Sequence, residues 1–132
     1  MNVRYPKAKE SSLTLAPSID WDTDTIKAML VKTAEAYDPA DQFVADLTAG
    51  NIVARSAALA NKTATNGVAR AANLTFVAPP AGQTCNLILY KDTGSDATSP
   101  LIAFIDTGTG FPIATNGLDV QIQWDPAGIF AV

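Results

Sequence analysis

Continuous apolar runs and strictly alternating segments succeed one another along this chain, and both patterns are typical of β-strands. Thr25–Lys32, Cys85–Tyr90 and Leu101–Asp106 are nearly continuous apolar runs, as expected of central strands that are buried on both faces. A single polar loop joins the last two runs, so we predict that they are neighbours in one sheet. Asp119–Trp124 instead alternates, with apolar side chains on one face and polar side chains on the other.

Turn residues divide the rest of the chain into short strands. Asn66-Gly67 is the dipeptide most typical of a tight hairpin, Pro79-Pro80-Ala81-Gly82 is a firm break, and Asn116-Gly117 is a second turn. The remaining predicted strands are Ile52–Leu59, Val68–Ala78 and Ile129–Val132. About seven strands separated by such turns predict a mainly β domain, an antiparallel β-sandwich or barrel.

One short helix is predicted between the strands Thr25–Lys32 and Ile52–Leu59. Asp38 is a suitable capping residue, and Pro39 suits the first helical position. Phe43, Val44 and Leu47 would form its buried face. Because only one helix accompanies the strands, alternating βαβ units are not expected.

Residues 1–19 lack this regular pattern. Pro6 and Pro17 bracket a segment with scattered apolar side chains, and its Ser and Thr residues are mediocre helix formers. We therefore predict an N-terminal arm over residues 1–19, extended or partly helical, that is frayed or docked on a neighbour. Residues 20–132 are predicted to form a single β domain, since the 132 residues of the chain have the length of one ordinary domain.

The amino-acid composition excludes most common catalytic and metal-binding sites. The chain has no histidine, a single cysteine, and two glutamates beside eleven aspartates. Without histidine there is no His-dependent catalytic triad and no zinc site with a His ligand. One cysteine excludes an intrachain disulfide and a multi-Cys cluster, and Cys85 is expected to be a small buried side chain. We therefore expect no enzyme activity, no metal site and no cofactor.

The charge pattern argues against nucleic-acid and membrane partners. Nine basic and thirteen acidic residues give a net charge of −4, and no basic residue follows Lys91. The sequence lacks the clustered Lys and Arg residues that bind phosphates, and no apolar run approaches the ~18–20 residues of a membrane span. Only 17% of the residues are charged, against about 25% in typical domains, which suggests that other protein covers part of the surface.

An acidic cluster precedes the first predicted strand. Asp20, Asp22 and Asp24 copy the start of an EF-hand, but the positions that need Gly and Glu hold Thr25 and Val31. We predict a solvated turn in which an Asp caps a backbone amide, with an assembly-site cation as the alternative.

The loop Lys91–Ser99 is the second polar segment of interest. Asp92, Asp96 and several hydroxyl groups in it suit a cation or a sugar. The plainer interpretation is a long hairpin connection stabilised by Asx and Ser/Thr turns, with an exposed tip that suits contact with a partner.

Several sequence blocks, spread over nearly the whole chain, are informative when they are considered together. They are Tyr5–Lys7, Ile19–Val31, Asn66–Val68, Leu74–Phe76, Leu89–Gly94, Ser99–Thr107, Phe111-Pro112 and Trp124-Asp125. In these blocks the sequence resembles a family of small structural proteins of tailed bacteriophages. It departs from that family at Glu10–Pro17, where the family has a more helix-like stretch.

The resemblance implies a component of the virion, assembled in the bacterial cytoplasm, that carries out no reaction. A capsid decoration (cement) protein is the first expectation. It would be a homo-oligomer, with a trimer as the guess, and it would clamp subunits of the major capsid protein and stabilise the shell. The arm or the last strand would pair with a capsid strand by β-addition. The candidate interface residues are Val3, Tyr5, Leu13, Leu15, Ile129, Phe130 and Val132.

Two alternatives stay open. One is a tail or baseplate component of the same kind of particle. The other is a carbohydrate-binding domain that helps adhesion, for which the candidate residues are Tyr90, Asp92, Asp96 and Trp124.

Overall fold

The computed structural model describes residues 2–10, 19–107, 110–124 and 128–131, and β-strands dominate this part of the chain. The strands are β1 (Asn2–Arg4), β2 (Ile26–Lys32), β3 (Ile52–Arg55), β4 (Val68–Ala69), β5 (Leu74–Phe76), β6 (Thr84–Lys91), β7 (Leu101–Ile105), β8 (Ile113–Ala114), β9 (Val120–Ile122) and β10 (Phe130–Ala131). The described residues also form one α-helix, α1 (Pro6–Glu10), and short 3-10 turns at Val44–Asp46, Ala49–Asn51 and Thr65–Gly67. No helix among them is long and apolar enough to cross a membrane. The predicted mainly β, antiparallel fold is confirmed.

The main sheet has the strand order β1-β7-β6-β2-β3, with β8 beside one end of β6. All of these pairs are antiparallel. β2 pairs with β6 along its whole length, beginning with Ile26 opposite Lys91. β6 and β7 also pair, with Leu87 opposite Ile105, so the predicted neighbours are confirmed.

Both faces of the main sheet are covered, which explains the continuous apolar runs of its central strands. Successive residues of a strand point to opposite faces, and Leu87 and Ile88 accordingly belong to different clusters. The larger core, on one face, includes Trp21, Ile26, Leu30, Phe76, Cys85, Leu87, Ile105 and Ile122. The smaller core, on the other face, includes Tyr5, Met29, Val31, Val44, Ile88, Tyr90 and Phe104.

Two short ribbons, rather than a second long sheet, close the larger core. β5 pairs with β9, and β4 pairs with β10. In β5, Leu74 and Phe76 are buried and Thr75 is exposed. In β9, Ile122 is buried while Gln121 and Gln123 on either side are exposed, so the alternation predicted for Asp119–Trp124 is confirmed. The described residues form ten strands rather than about seven, because Val68–Ala78 divides into β4 and β5 and because two-residue strands such as β8 are too short to leave a pattern.

A turn at Asn66-Gly67 is confirmed, but it is a 3-10 turn closed by the isolated bridge of Thr63 with Arg70 and not a tight hairpin between two paired strands. Asn66 has a φ of 54° and Gly67 a φ of 74°, both in the left-handed region. Thr63 and Arg70, on either side of the turn, exchange two backbone hydrogen bonds of 2.9 Å. Asn and Gly tolerate this backbone conformation, which explains why this dipeptide stands here.

The helix predicted from Asp38-Pro39 is wrong, because the segment forms only the 3-10 turn Val44–Asp46. The N–H groups of Val44 and Ala45 donate at 2.9 and 3.0 Å to carbonyl oxygens of the loop between β6 and β7. These tertiary hydrogen bonds take the donors that an α-helix would use within itself. Val44 and Leu47 are buried nevertheless, as predicted.

Residues 2–10, which together with Ile19 are the described part of the predicted arm, pack on the sheet of the same chain. β1 pairs antiparallel with β7, and α1 follows it directly. Tyr5 is 1% exposed and lies in the smaller core together with Ala8. These residues are therefore docked within the chain, while the division of the chain at residue 19 stays a prediction.

Candidate functional site

A groove lies at the edge of the main sheet, between β1 and the segment that leads into β10. We call it the edge groove. It encloses about 280 Å³, somewhat below the ~300–1,000 Å³ of a pocket for a drug-sized ligand, so its size suits one or two protein side chains. The residues lining it include Asn2, Val3, Arg4, Ile105, Ile129 and Phe130.

The edge groove brings together the two ends of the predicted interface. Ile129 and Phe130 line it, and Val3 borders it from β1, although the Val3 side chain packs against the smaller core on the other face of the sheet. Tyr5 is held in the smaller core instead, where it has no surface to offer to a partner. Leu13, Leu15 and Val132 lie outside the described residues.

The register of β1 directs Arg4 toward the groove. Arg4 stands opposite Ala103 in β7, and the next residue, Tyr5, points into the smaller core. Because successive side chains of a strand point to opposite faces, Arg4 points to the face of the larger core. Phe130 packs on that same face, and the Arg4 guanidinium carbon lies 5.1 Å from the centre of its ring.

The Arg4 guanidinium is poorly satisfied in this position. Its Nη2 donates to the Ala8 carbonyl oxygen at 3.4 Å, which is a long hydrogen bond. Its Nε is buried and has no hydrogen-bond partner, the one such buried side-chain atom among the residues that the structure describes. Burial lowers the pKa of Arg4, although a guanidinium stays protonated in proteins. The groove thus holds a partly desolvated positive charge.

The other wall of the groove is fixed by the C-terminal segment. The Phe130 ring packs edge-on against Trp21 with 5.3 Å between ring centres. The Ile129 N–H donates to the Ala69 carbonyl oxygen at 2.7 Å. Gly128 has a φ of +118°, and a β-carbon there would overlap a side chain of β4, so glycine is required. The wall is therefore held in place by hydrogen bonds and packing.

Arg4 is one of five groove residues outside the predicted interface, with Asn2, Lys9, Ala103 and Ile105. Its signal is a cation between two apolar residues in Val3-Arg4-Tyr5, within a chain of net charge −4. An isolated cation in a short strand gave no reason to expect that the side chain is partly buried.

The acidic turn predicted at Asp20–Asp24 is confirmed. The Asp24 carboxylate accepts the N–H of Asp20 at 2.7 Å and lies 3.1 Å from Lys91 Nζ. A hydrogen bond between the carboxyl groups of Asp20 and Asp22 lowers the pKa of Asp20 and raises that of Asp22. In residues 2–10, 19–107, 110–124 and 128–131, no three His, Cys, Asp or Glu side chains converge as a metal site.

The loop between β6 and β7 is the predicted hairpin connection. Asp92 accepts the Gly94 N–H at 2.9 Å in an Asx turn and lies 2.7 Å from Lys27 Nζ. Arg55 holds Asp96 through two hydrogen bonds of 2.7 and 2.8 Å. Lys27 lowers the pKa of Asp92 and Arg55 that of Asp96, so both carboxylates already have cationic partners.

The four residues proposed for a sugar site do not converge. Tyr90 is 1% exposed and lies in the smaller core. Trp124 packs against the larger core, on the opposite face of the sheet, and donates from Nε1 to the Ala72 carbonyl oxygen at 2.9 Å. Stacking of one sugar on both rings is therefore incompatible with this fold.

Another group of carboxylates lies on the segment that covers the smaller core. Burial, together with the negative charges of Asp38, Asp46 and Glu35, raises the pKa of Asp41 to about 6. Asp46 behaves in the opposite way, because its carboxylate accepts the N–H groups of Phe43 and Gln42 and these bonds lower its pKa.

We expect Asp41→Asn to raise the melting temperature by a few degrees at neutral pH. The folded pKa of Asp41, about 6, lies above the value of about 3.9 in an unfolded chain, so the folded state binds the proton more tightly. This contribution to stability is complete below about pH 4 and is lost as the pH rises through about 6. Thermal unfolding followed by circular dichroism between about pH 4 and 8 measures the slope, which the substitution should reduce.

Asp46→Asn is the matched control for this prediction. The lowered pKa of Asp46 stabilises the folded state above its unfolded pKa, so its loss should lower the melting temperature at neutral pH. If both variants shifted the melting temperature equally and in the same direction, the opposite pKa shifts of Asp41 and Asp46 would be contradicted.

Comparisons with known proteins assign no family to this chain. It matches no protein-family model and no curated protein.

Proposed function

We propose that this protein is a structural component of a tailed-bacteriophage particle, and that it decorates and stabilises the assembled head shell. The observation that carries the proposal is the edge groove, where Arg4 of the first strand meets Ile129 and Phe130 of the C-terminal segment. The resemblance in sequence blocks from Tyr5 to Asp125 supports a virion role.

The geometry of the edge groove suits the attachment of another protein. β1 is the last strand of the main sheet at this side, and an edge strand is the usual place for an added strand. The groove beside it offers the apolar side chains Ile105, Ile129 and Phe130 for burial. Attachment here needs no unfolding of the arm, because residues 2–10 already form the surface that would be joined.

The partner in this proposal is the major capsid protein, and the decoration protein is a homo-oligomer on the shell. Binding that is specific to the assembled shell stabilises that shell by mass action. Because many weak contacts act together on a symmetric surface, a small groove in each copy is sufficient.

The number of copies in the virion tests the head placement. Quantitative mass spectrometry of purified particles is expected to find this chain in numbers comparable to the major capsid protein. A few copies per particle would place it at the tail or baseplate instead. Its complete absence from particles would overturn the virion role.

A further inference from the structure

We propose that Arg4 recognises a carboxylate, so that the edge groove accepts an extended protein segment carrying Asp or Glu. This proposal deepens the proposed function and rests on it in one respect only, the identity of the partner. If the proposed function holds, the segment belongs to the capsid protein. The recognition itself follows from the charge, burial and strand geometry around Arg4.

The first argument is the incomplete pairing of the Arg4 guanidinium. A guanidinium has five N–H donors. In the described residues its hydrogen bonding consists of the 3.4 Å contact to the Ala8 carbonyl oxygen, and its buried Nε has no partner. No described carboxylate forms an ion pair with it. Since the buried Nε is closed to solvent, a carboxylate in the groove would accept hydrogen bonds from the two Nη groups, as one of the paired geometries of a guanidinium with a carboxylate.

The second argument is the contrast with Arg55 of the same chain. Arg55 lies on the partly exposed edge strand β3 and is already paired with the Asp96 carboxylate at 2.7 and 2.8 Å. Arg4 also lies on an edge strand and packs on an aromatic ring, but none of the described carboxylates pairs with it. The position that Asp96 fills for Arg55 is therefore the position that a partner would fill for Arg4.

The third argument is the direction of the backbone in β1. The Tyr5 N–H donates to the carbonyl oxygen of Ile102 in β7. In an antiparallel pair the backbone groups of alternate residues point toward the neighbouring strand, so those of Arg4 point away from β7, toward the side on which no described strand pairs with β1. A segment added along this edge would meet the backbone of Arg4, and every second side chain would lie on the face of the groove.

The surroundings of Arg4 favour a carboxylate of a protein over a small anion in solution. Ile105, Ile129 and Phe130 line the same groove and would be covered by an added segment. Excluding water from an ion pair strengthens it, so the apolar contacts and the charge act together. The net charge of −4 would repel a free anion that brings no apolar contact.

Two synthetic peptides test the proposal on the isolated 132-residue chain. Each has seven residues of alternating Thr and Val, one with Asp and one with Asn at its centre. We expect the Asp peptide to shift the NMR resonances of Arg4 Nε–Hε and of the β1 amides, and to bind about tenfold more tightly than the Asn peptide. Equal affinity of the two peptides, or no change at Arg4 with the Asp peptide at millimolar concentration, would overturn the proposal.

Substitutions separate recognition from folding. Arg4→Met keeps the apolar stem and should abolish the preference for Asp, whereas Arg4→Lys should retain only part of it because lysine lacks the planar fork. Arg55→Met is the matched control and should leave the preference unchanged. If Arg4→Met lowers the melting temperature, only the Arg4→Lys variant is used to test the proposal. An undiminished preference of Arg4→Lys for the Asp peptide would contradict bidentate recognition. These peptide results hold whether or not the chain is found in phage particles, so failure of one proposal is distinguishable from failure of the other.

Discussion

Replacing Leu87 by Ala is expected to lower the free energy of unfolding by about 2–5 kcal/mol. Leu87 is fully buried in β6, the strand at the centre of the main sheet, and faces the larger core. It stands opposite Leu30 in β2 and Ile105 in β7, so its removal leaves a cavity bordered by strands on both sides. Equilibrium unfolding in urea measures the change.

Two further variants give this prediction its controls. Leu118→Ala makes the same chemical change at a residue that is 68% exposed, and its effect should stay within about 0.5 kcal/mol. Ile88→Ala probes the opposite face of the same strand and should destabilise the protein to a similar extent as Leu87→Ala. A small effect at Ile88 with a large one at Leu87 would contradict a sheet covered on both faces.

Replacing Tyr5 by Ala is expected to destabilise the protein by about 3–5 kcal/mol, as for other buried aromatic residues. Tyr5 is 1% exposed, and its ring centre lies 5.2 Å from that of Tyr37, which in turn packs 5.7 Å from Phe104. Tyr5→Phe keeps the ring and should retain most of the stability. Thermal and urea unfolding of both variants provide the measurement.

This prediction changes how partner binding should be tested. Deleting residues 1–19 removes Tyr5 and Ala8 from the smaller core, so a loss of shell binding would report unfolding as much as a lost contact. Point changes at Arg4 or Ile129 leave that core intact and are the informative variants. If Tyr5→Ala retained full stability, residues 2–10 would be a detachable arm and the description of the smaller core would be wrong.

The central strands were predictable because burial on both faces leaves an unambiguous pattern. β6 and β7 appear in the sequence as apolar runs, and the Asn66-Gly67 turn is marked by residue type. The segment around Val44 was not predictable, because its amides are bonded to a distant loop rather than to each other. Local propensity carries no information about such tertiary partners.

The edge groove was predictable in its parts but not as a whole. Val3, Ile129 and Phe130 stand out as apolar residues near the two ends of the chain. Their meeting depends on the pairing of β1 with β7 and of β10 with β4, and the sequence does not reveal either pairing. The role of Arg4 also depends on these pairings, because they place the Phe130 ring beside its guanidinium group.

A cryo-electron microscopy reconstruction of the phage particle tests the central claim most directly. We predict density for this chain on the outer surface of the head shell, with the β1 edge and the groove against the major capsid protein and a carboxylate of that protein beside Arg4. Density for this chain at the tail, or on the shell with the edge groove facing solvent, would contradict the account.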